Sequence, residues 1–189
     1  MTFKIISVGL LVAVGAFAQA SKVAVSSDDS LTVYGGIQSG GSSDWQTIAS
    51  TDILPPGGKD LLITVSMQSG LFDFTVDPAP YSILLQFSGM RVRVVIDGDE
   101  VNLPAPGAVT WDRQLNFLLE GGEASLDVNL KSGVRSFTFI QRNVSPATHH
   151  IEVQADFQFA AAEFVEGFAG SWAFITNRTL VVESVRTGD

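Results

Sequence analysis

The sequence predicts an all-β protein: a single antiparallel sandwich of the immunoglobulin-like or jelly-roll-like kind. Three observations carry this expectation. Apolar and polar residues alternate with period two from about residue 60 onward, helical periodicity is nearly absent, and Pro, Gly and Asp turn signals recur between the runs. Neighbouring side chains on a strand point to opposite faces, so alternation marks a sheet with one buried side.

The chain opens on "MTFKIISVGLLVAVGAFAQA". Lys4 supplies a positive start, Ile5 to Phe17 an apolar run, and Ala18-Gln19-Ala20 a small-residue cleavage pattern. The run is too short for a hydrocarbon core of about 30 Å, so residues 1–20 read as a secretory signal peptide. The expected site of action is therefore secreted or periplasmic, with a mature chain starting near Ser21. Residues 21–189 form one expected domain, in which the Ser/Gly-rich stretch 21–40 reads as a loose N-terminal arm.

Strands follow in order. "LTVYGGIQ" and "WQTIAS" are weak candidates. In "DLLITVSMQSG", Leu61, Ile63, Val65 and Met67 share a face. "YSILLQF" is another weak candidate. In "MRVRVVIDGDEV", Met90, Val92, Val94 and Ile96 share a face while Arg91 and Arg93 point away. "EASLDVNLKSG" alternates most cleanly, with Ala124, Leu126, Val128 and Leu130 expected inward. "VRSFTFIQRN" and "SWAFITNRTLVVESV" are rich in β-branched and aromatic residues, with Phe137, Phe139, Phe157 and Phe159 expected in the core. Breakers divide these runs: Pro55-Pro56-Gly57-Gly58, Asp77-Pro78-Ala79-Pro80, Asp97-Gly98, Pro104-Ala105-Pro106-Gly107 and Gly121-Gly122. Asp97-Gly98 fits a tight hairpin turn. The Ala-rich middle of "DFQFAAAEFVEGFAGSW" is expected as a helical turn or a long loop. Eight to ten short strands result.

Twenty acidic residues against eleven basic ones give a net charge of −9. That balance argues against nucleic acid and against anionic lipid. The absence of cysteine excludes disulfide staples and lipid-modified cysteine.

The two histidines, His149 and His150, sit side by side in "SPATHHIEVQADF". On a strand they look in opposite directions: His149 joins Ile151, Val153, Ala155 and Phe157, while His150 joins Glu152, Gln154, Asp156 and Gln158. They are not a pair in space. The stretch resembles the "P-G-T-H-x-V-x-V" start of a late strand in bacterial immunoglobulin-like domains. There the side chain at the histidine place packs at a corner and bonds back to backbone. By that resemblance His149 takes the corner place, with Ala147 where the pattern has Gly. Over about residues 60–186, "KDLLITVSMQSGLF", "VRVVIDGDEV", "APGAVTW", "SFTFIQRNVSPATHHIEVQA" and "NRTLVVESVR" resemble blocks of a group of secreted bacterial proteins. The resemblance implies fold and secretion and carries no activity.

Candidate chemistry is sparse. His150 with Glu152 is the best metal candidate, but zinc sites want three or four ligands dominated by His or Cys. Asp97, Asp99 and Glu100 gather carboxylates in one turn without the spacing of a calcium loop. A serine meeting His149 or His150 and an Asp would be needed for nucleophilic catalysis, and no G-x-S-x-G elbow exists. Trp45, Trp111 and Trp172 lie near segment ends, as sugar-stacking platforms or as core plugs. Asn177 in "NRT" and Asn143 in "NVS" match a glycosylation pattern, and Asn177 is expected to make a local turn contact. No catalytic, cofactor-binding or metal residue is assigned, and no cofactor is expected. The reading is a non-catalytic sandwich with a binding, adhesion or structural role outside the cytoplasm. Its expected partner is an extracellular glycan, a protein or another copy of itself, with no nucleic acid and no membrane after signal cleavage. The alternative is a small secreted hydrolase acting on carbohydrate or ester substrates.

Overall fold

The computed structural model describes residues 22–35, 41–77, 81–103, 107–121, 125–163 and 168–186. The expected signal peptide at 1–20 lies outside them. The described strands are β1 (Val23–Asp28), β2 (Thr32–Gly35), β3 (Gly41–Ser42), β4 (Gln46–Ile53), β5 (Lys59–Asp77), β6 (Tyr81–Ile96), β7 (Asp99–Glu100), β8 (Val109–Gly121), β9 (Ser125–Val144), β10 (His149–Glu163) and β11 (Phe168–Val185).

Two antiparallel sheets result. Sheet A runs β1 and β2, β11, β5, β9; sheet B runs β3 and β4, β10, β6, β8, with β7 also paired to β6. Among the described strands the chain passes between sheets at six of its ten connections, and this strand order is that of a jelly roll. Of the two sandwich topologies expected from the sequence, the strand order is therefore the second.

Several strands are longer than expected. "YSILLQF" and "MRVRVV" form the single strand β6, and "SLDVNLKSG" and "VRSFTFIQRN" the single strand β9. The Ser-Gly pairs at 88–89 and 132–133 do not end these strands, because neighbours on both sheets continue the hydrogen-bonded ladder through them. Ala160–Ala162 are strand as well, paired with Leu85–Phe87, which corrects the expected helical turn or loop. Ladder pairing there overrides the helix preference of alanine. Nor are β1 and β2 a loose arm. Both pair with β11, and the Arg178 guanidinium holds them through Asp28, Ser30 and Thr32. Residues 36–40 of the proposed arm lie outside the described ones.

The core forms where alternation placed it. Leu61, Ile63, Val65 and Met67 of β5 face Met90, Val92 and Val94 of β6, together with Ile151, Val153, Ala155, Phe157 and Phe159 of β10. Trp111 is fully buried and tilts against Phe137 at 5.2 Å between ring centroids. Toward the far end the interior turns polar: Ser88 donates from sheet B to Asp73 of sheet A at 2.9 Å, and Ser171 donates to the same carboxylate.

One strand reverses its expected side. Leu130 is 64% exposed and Val134 is 72% exposed, so the expectation that Leu130 packs inward is overturned. Phe137 and Phe139 point inward, and so by parity do residues 131 and 135. These are Lys131 and Arg135, which reach Asp112 of β8 at 2.9 and 3.1 Å. Asp112 is 1% exposed, and a carboxylate so buried needs cationic partners. β8 and β9 are the edge strands of the two sheets on this side, and the ion cluster bridges them. Inward charge also guards an edge strand against adding another strand.

This assignment predicts opposite responses within β9. Phe139→Ala should cost about 3–5 kcal/mol by urea unfolding. Leu130→Ser should stay within about 0.5 kcal/mol of the parent. A large loss at Leu130 would mean that the inward face has been misassigned.

Candidate functional site

The Asp97-Gly98 turn has φ of 51° and 95°, the left-handed pair that a tight hairpin needs, and it joins β6 to β7. Its geometry aims the Asp97 carboxylate at the start of β10. Oδ1 accepts the His150 backbone N–H at 2.8 Å, and Oδ2 lies 2.6 Å from His149 Nδ1. The Asp97 N–H in turn donates to the His150 carbonyl at 3.0 Å. The other ring nitrogen, His149 Nε2, lies 3.1 Å from the Ser145 carbonyl and 3.2 Å from Ser145 Oγ. The imidazole thus bonds back to the backbone four residues upstream, as a corner residue does. The adjoining cleft of about 250 Å³ is lined by Asp97, Asp99, Glu100, Asn143, Ser145 and His149, among others.

Ser145, His149 and Asp97 therefore stand in the order of a serine-hydrolase relay, a constellation that sequence spacing did not reveal. Asp97 is 52 residues from His149, and only the hairpin brings it there. Two features oppose a nucleophilic role. The Ser145 carbonyl competes with Oγ for Nε2, and residue 146 is proline, with no N–H to donate to an oxyanion. What the arrangement does is lock a corner.

His150 points the other way. Its Nδ1 lies 2.7 Å from Asp52 Oδ1, which raises its pKa above the ordinary imidazole value, and its Nε2 is 3.6 Å from Glu152. Glu152 accepts from Thr47 at 2.7 Å and Gln154 at 3.0 Å, and both bonds hold it below the usual carboxylate range. Asp156 corrects its expected place in solvent: it is buried and takes a bidentate bond from Arg91. The carboxylates of the acidic turn diverge, Asp97 to the histidines and Glu100 to Arg93 at 3.1 Å. Among the described residues no group of three His, Cys, Asp or Glu is placed to hold a metal ion.

The three tryptophans separate. Trp111 plugs the core. Trp45 lies on the outer side of sheet B beneath the guanidinia of Arg91 and Arg93, at 5.2 and 4.3 Å. Trp172 is 39% exposed on the outer side of sheet A and stacks on Phe72 at 5.3 Å. Around that stack Leu31, Val33, Leu130 and Phe174 line a shallow depression of about 470 Å³. Phe174 lies over Gly70, where any Cβ would overlap its ring. Backbone register puts Trp172, Phe72 and Leu130 in one cross-strand row.

No protein-family profile matches the chain, and no curated protein matches it in sequence. Solved structures show faint likeness. The structure of infectious bursal disease virus, Gx strain, is 15% identical over 97% of this chain and 43% of that one, with a TM-score of 0.28. The VP2 subviral particle of the same virus is 16% identical over 97% and 42%, with a TM-score of 0.24. Parasporin-2 of Bacillus thuringiensis is 7% identical over 87% and 72%, with a TM-score of 0.19. The chain spans less than half the length of the viral chains, and at such TM-scores the superpositions carry no argument.

The corner predicts a pH response with two limbs. The His150 N–H and the His149 ring hold the Asp97 carboxyl below its usual value of 3.8, so its contribution is present above 3.8 and is lost as pH falls through the lowered value. His150 is raised above 6.5, so its contribution is present below 6.5 and fades as pH rises through the raised value. Thermal melts across pH should show the acid limb flattened in Asp97→Asn and the alkaline limb in His150→Gln. Asp97→Ala should cost about 1–3 kcal/mol at neutral pH, more than Asp97→Asn, which retains an acceptor for the His150 N–H.

Proposed function

We propose that the protein is a non-catalytic binding or structural module acting outside the cytoplasm, and that it binds through the outward face of sheet A. The observation that carries this reading is the inversion of β9. Leu130 and Val134 are turned to solvent, and Leu130 joins Val33, Phe72, Trp172 and Phe174 in one apolar surface. Contiguous apolar patches are uncommon on soluble monomers, and they mark interaction surfaces. The leader-like first twenty residues support the extracellular part of the reading. The Ser145–His149–Asp97 order favours hydrolysis as a second reading, against which stand the competing carbonyl and Pro146.

A paired assay tests the reading. At sub-micromolar protein, an apolar fluorescent dye should bind the native fold, and Leu130→Lys with Trp172→Ala should remove that binding while the chain still melts cooperatively. Chromogenic esters and glycosides should show no turnover that Ser145→Ala abolishes. Dye uptake indifferent to the face, or turnover lost in Ser145→Ala, overturns the reading.

A further inference from the structure

We infer that the partner on this face is a second copy of the chain, packed sheet on sheet about a two-fold axis. The inference rests on the reading above that sheet A binds, and it supplies the identity of the occupant.

Charge is the first argument. The chain carries −9, so two copies repel over most of their surfaces. On β5 from Thr64 to Phe72 and on β9 from Leu130 to Thr138, the outward positions are Thr, Ser, Gln, Gly, Val, Leu and Phe, with no ionisable side chain. The corresponding outward face of sheet B carries Arg91, Arg93, His150 and Glu152. Two acidic copies meet without opposing like charges where sheet A meets sheet A.

Chemistry of the lining is the second. Leu31, Val33, Phe72, Leu130, Trp172 and Phe174 supply no side-chain donor or acceptor to the depression except the Trp172 indole. A sugar ring seated there would bring hydroxyls that lose water without gaining partners. A sheet face like this one brings apolar groups, short hydroxyl side chains and the Gln68 amide, which can pair with their own copies in an isologous contact where each patch meets itself.

Shape and area are the third. Gly70 lets Phe174 lie flush, so the surface suits the spacing of about 10 Å at which sheets stack. Four strands about 4.8 Å apart and about nine residues long offer a footprint of roughly 570 Å². A stable interface buries about 800 Å² per partner, so the expected dimer is reversible, with Kd in the micromolar range.

Sedimentation equilibrium of the full chain from about 1 to about 100 µM tests this. The expected result is a monomer–dimer equilibrium. Gln68 sits near the middle of the face, where a two-fold axis brings it close to its own copy. Gln68→Lys and Gln68→Glu should each weaken the dimer at least tenfold, lower the thermal midpoint by no more than loss of the exposed Asn177 bond allows, and form a heterodimer when mixed. That recovery cannot arise from misfolding. A parent chain that stays monomeric at 100 µM, a dimer indifferent to both substitutions, or no gain on mixing overturns the inference. If the parent is monomeric while dye binding still depends on Leu130 and Trp172, the second copy is excluded and the binding face stands. If dye binding is indifferent as well, both fall.

Discussion

The architecture turns on the buried carboxylate of Asp112 and the parity it imposes on the strand opposite. Asp112 lies at the rim where the edge strands of the two sheets approach, and its charge is met by Lys131 and Arg135. Both cations come from odd positions of one strand, and a strand cannot send neighbouring residues to the same side. Meeting the buried charge therefore commits the even positions, Leu130 and Val134 among them, to solvent. Apolar exposure on sheet A follows from an electrostatic requirement in the interior. An isolated buried carboxylate costs far more than an exposed leucine, so the sign of the compromise is settled by magnitude.

Much of the fold was legible in the sequence because period-two alternation is a direct imprint of a half-buried sheet. Leu61 to Met67, Met90 to Ile96 and Ile151 to Phe157 all take the side that alternation assigns. The Asp97-Gly98 turn was legible because positive φ strongly selects residue type. Asn177, expected to make a local turn contact, sits instead at a register shift inside β11 with positive φ and donates across the sheet to Gln68 at 2.9 Å. What alternation leaves undetermined is which face of an alternating strand is the inner one. For β9 the alternation ending at Leu130 pointed one way, while Phe137 and Phe139, continuous with it in one strand, and the two cations that meet Asp112 take the other side. Ala160–Ala162 were misread for a related reason: a short alanine run has no period, and the ladder to β6 supplies the conformation.

The corner at His149 was half visible. Alternation gave its orientation and the resemblance a return to backbone, but neither named the Ser145 carbonyl or Asp97, which arrives through a hairpin more than fifty residues earlier. Long-range partners of this kind leave no local signature, because neither residue needs a special neighbour for them to meet. The relay-like order of Ser145, His149 and Asp97 uses side chains that a structural corner and a catalytic triad have in common. They differ in what surrounds the hydroxyl: here a carbonyl shares its imidazole, and a proline follows where an oxyanion donor belongs.

The two outer faces of the sandwich have opposite characters, and that contrast connects packing to function. On sheet B, Arg91 and Arg93 cover Trp45 and are met by Asp156, Glu100 and Gln154, so an exposed aromatic is enclosed and its surroundings remain solvated. On sheet A the aromatic pair Phe72 and Trp172 lies among Leu31, Val33, Leu130 and Phe174. The same chain thus carries a worked example of how an exposed tryptophan is shielded, on the face where the shield is present. Were exposure on sheet A a mere tolerance, the surrounding hydroxyl-bearing and aliphatic positions would accept charge at little cost, since surface substitutions seldom move stability by more than about 0.5 kcal/mol. Their uniform neutrality in a strongly acidic protein is accounted for when the face is one that closes against a surface of its own kind.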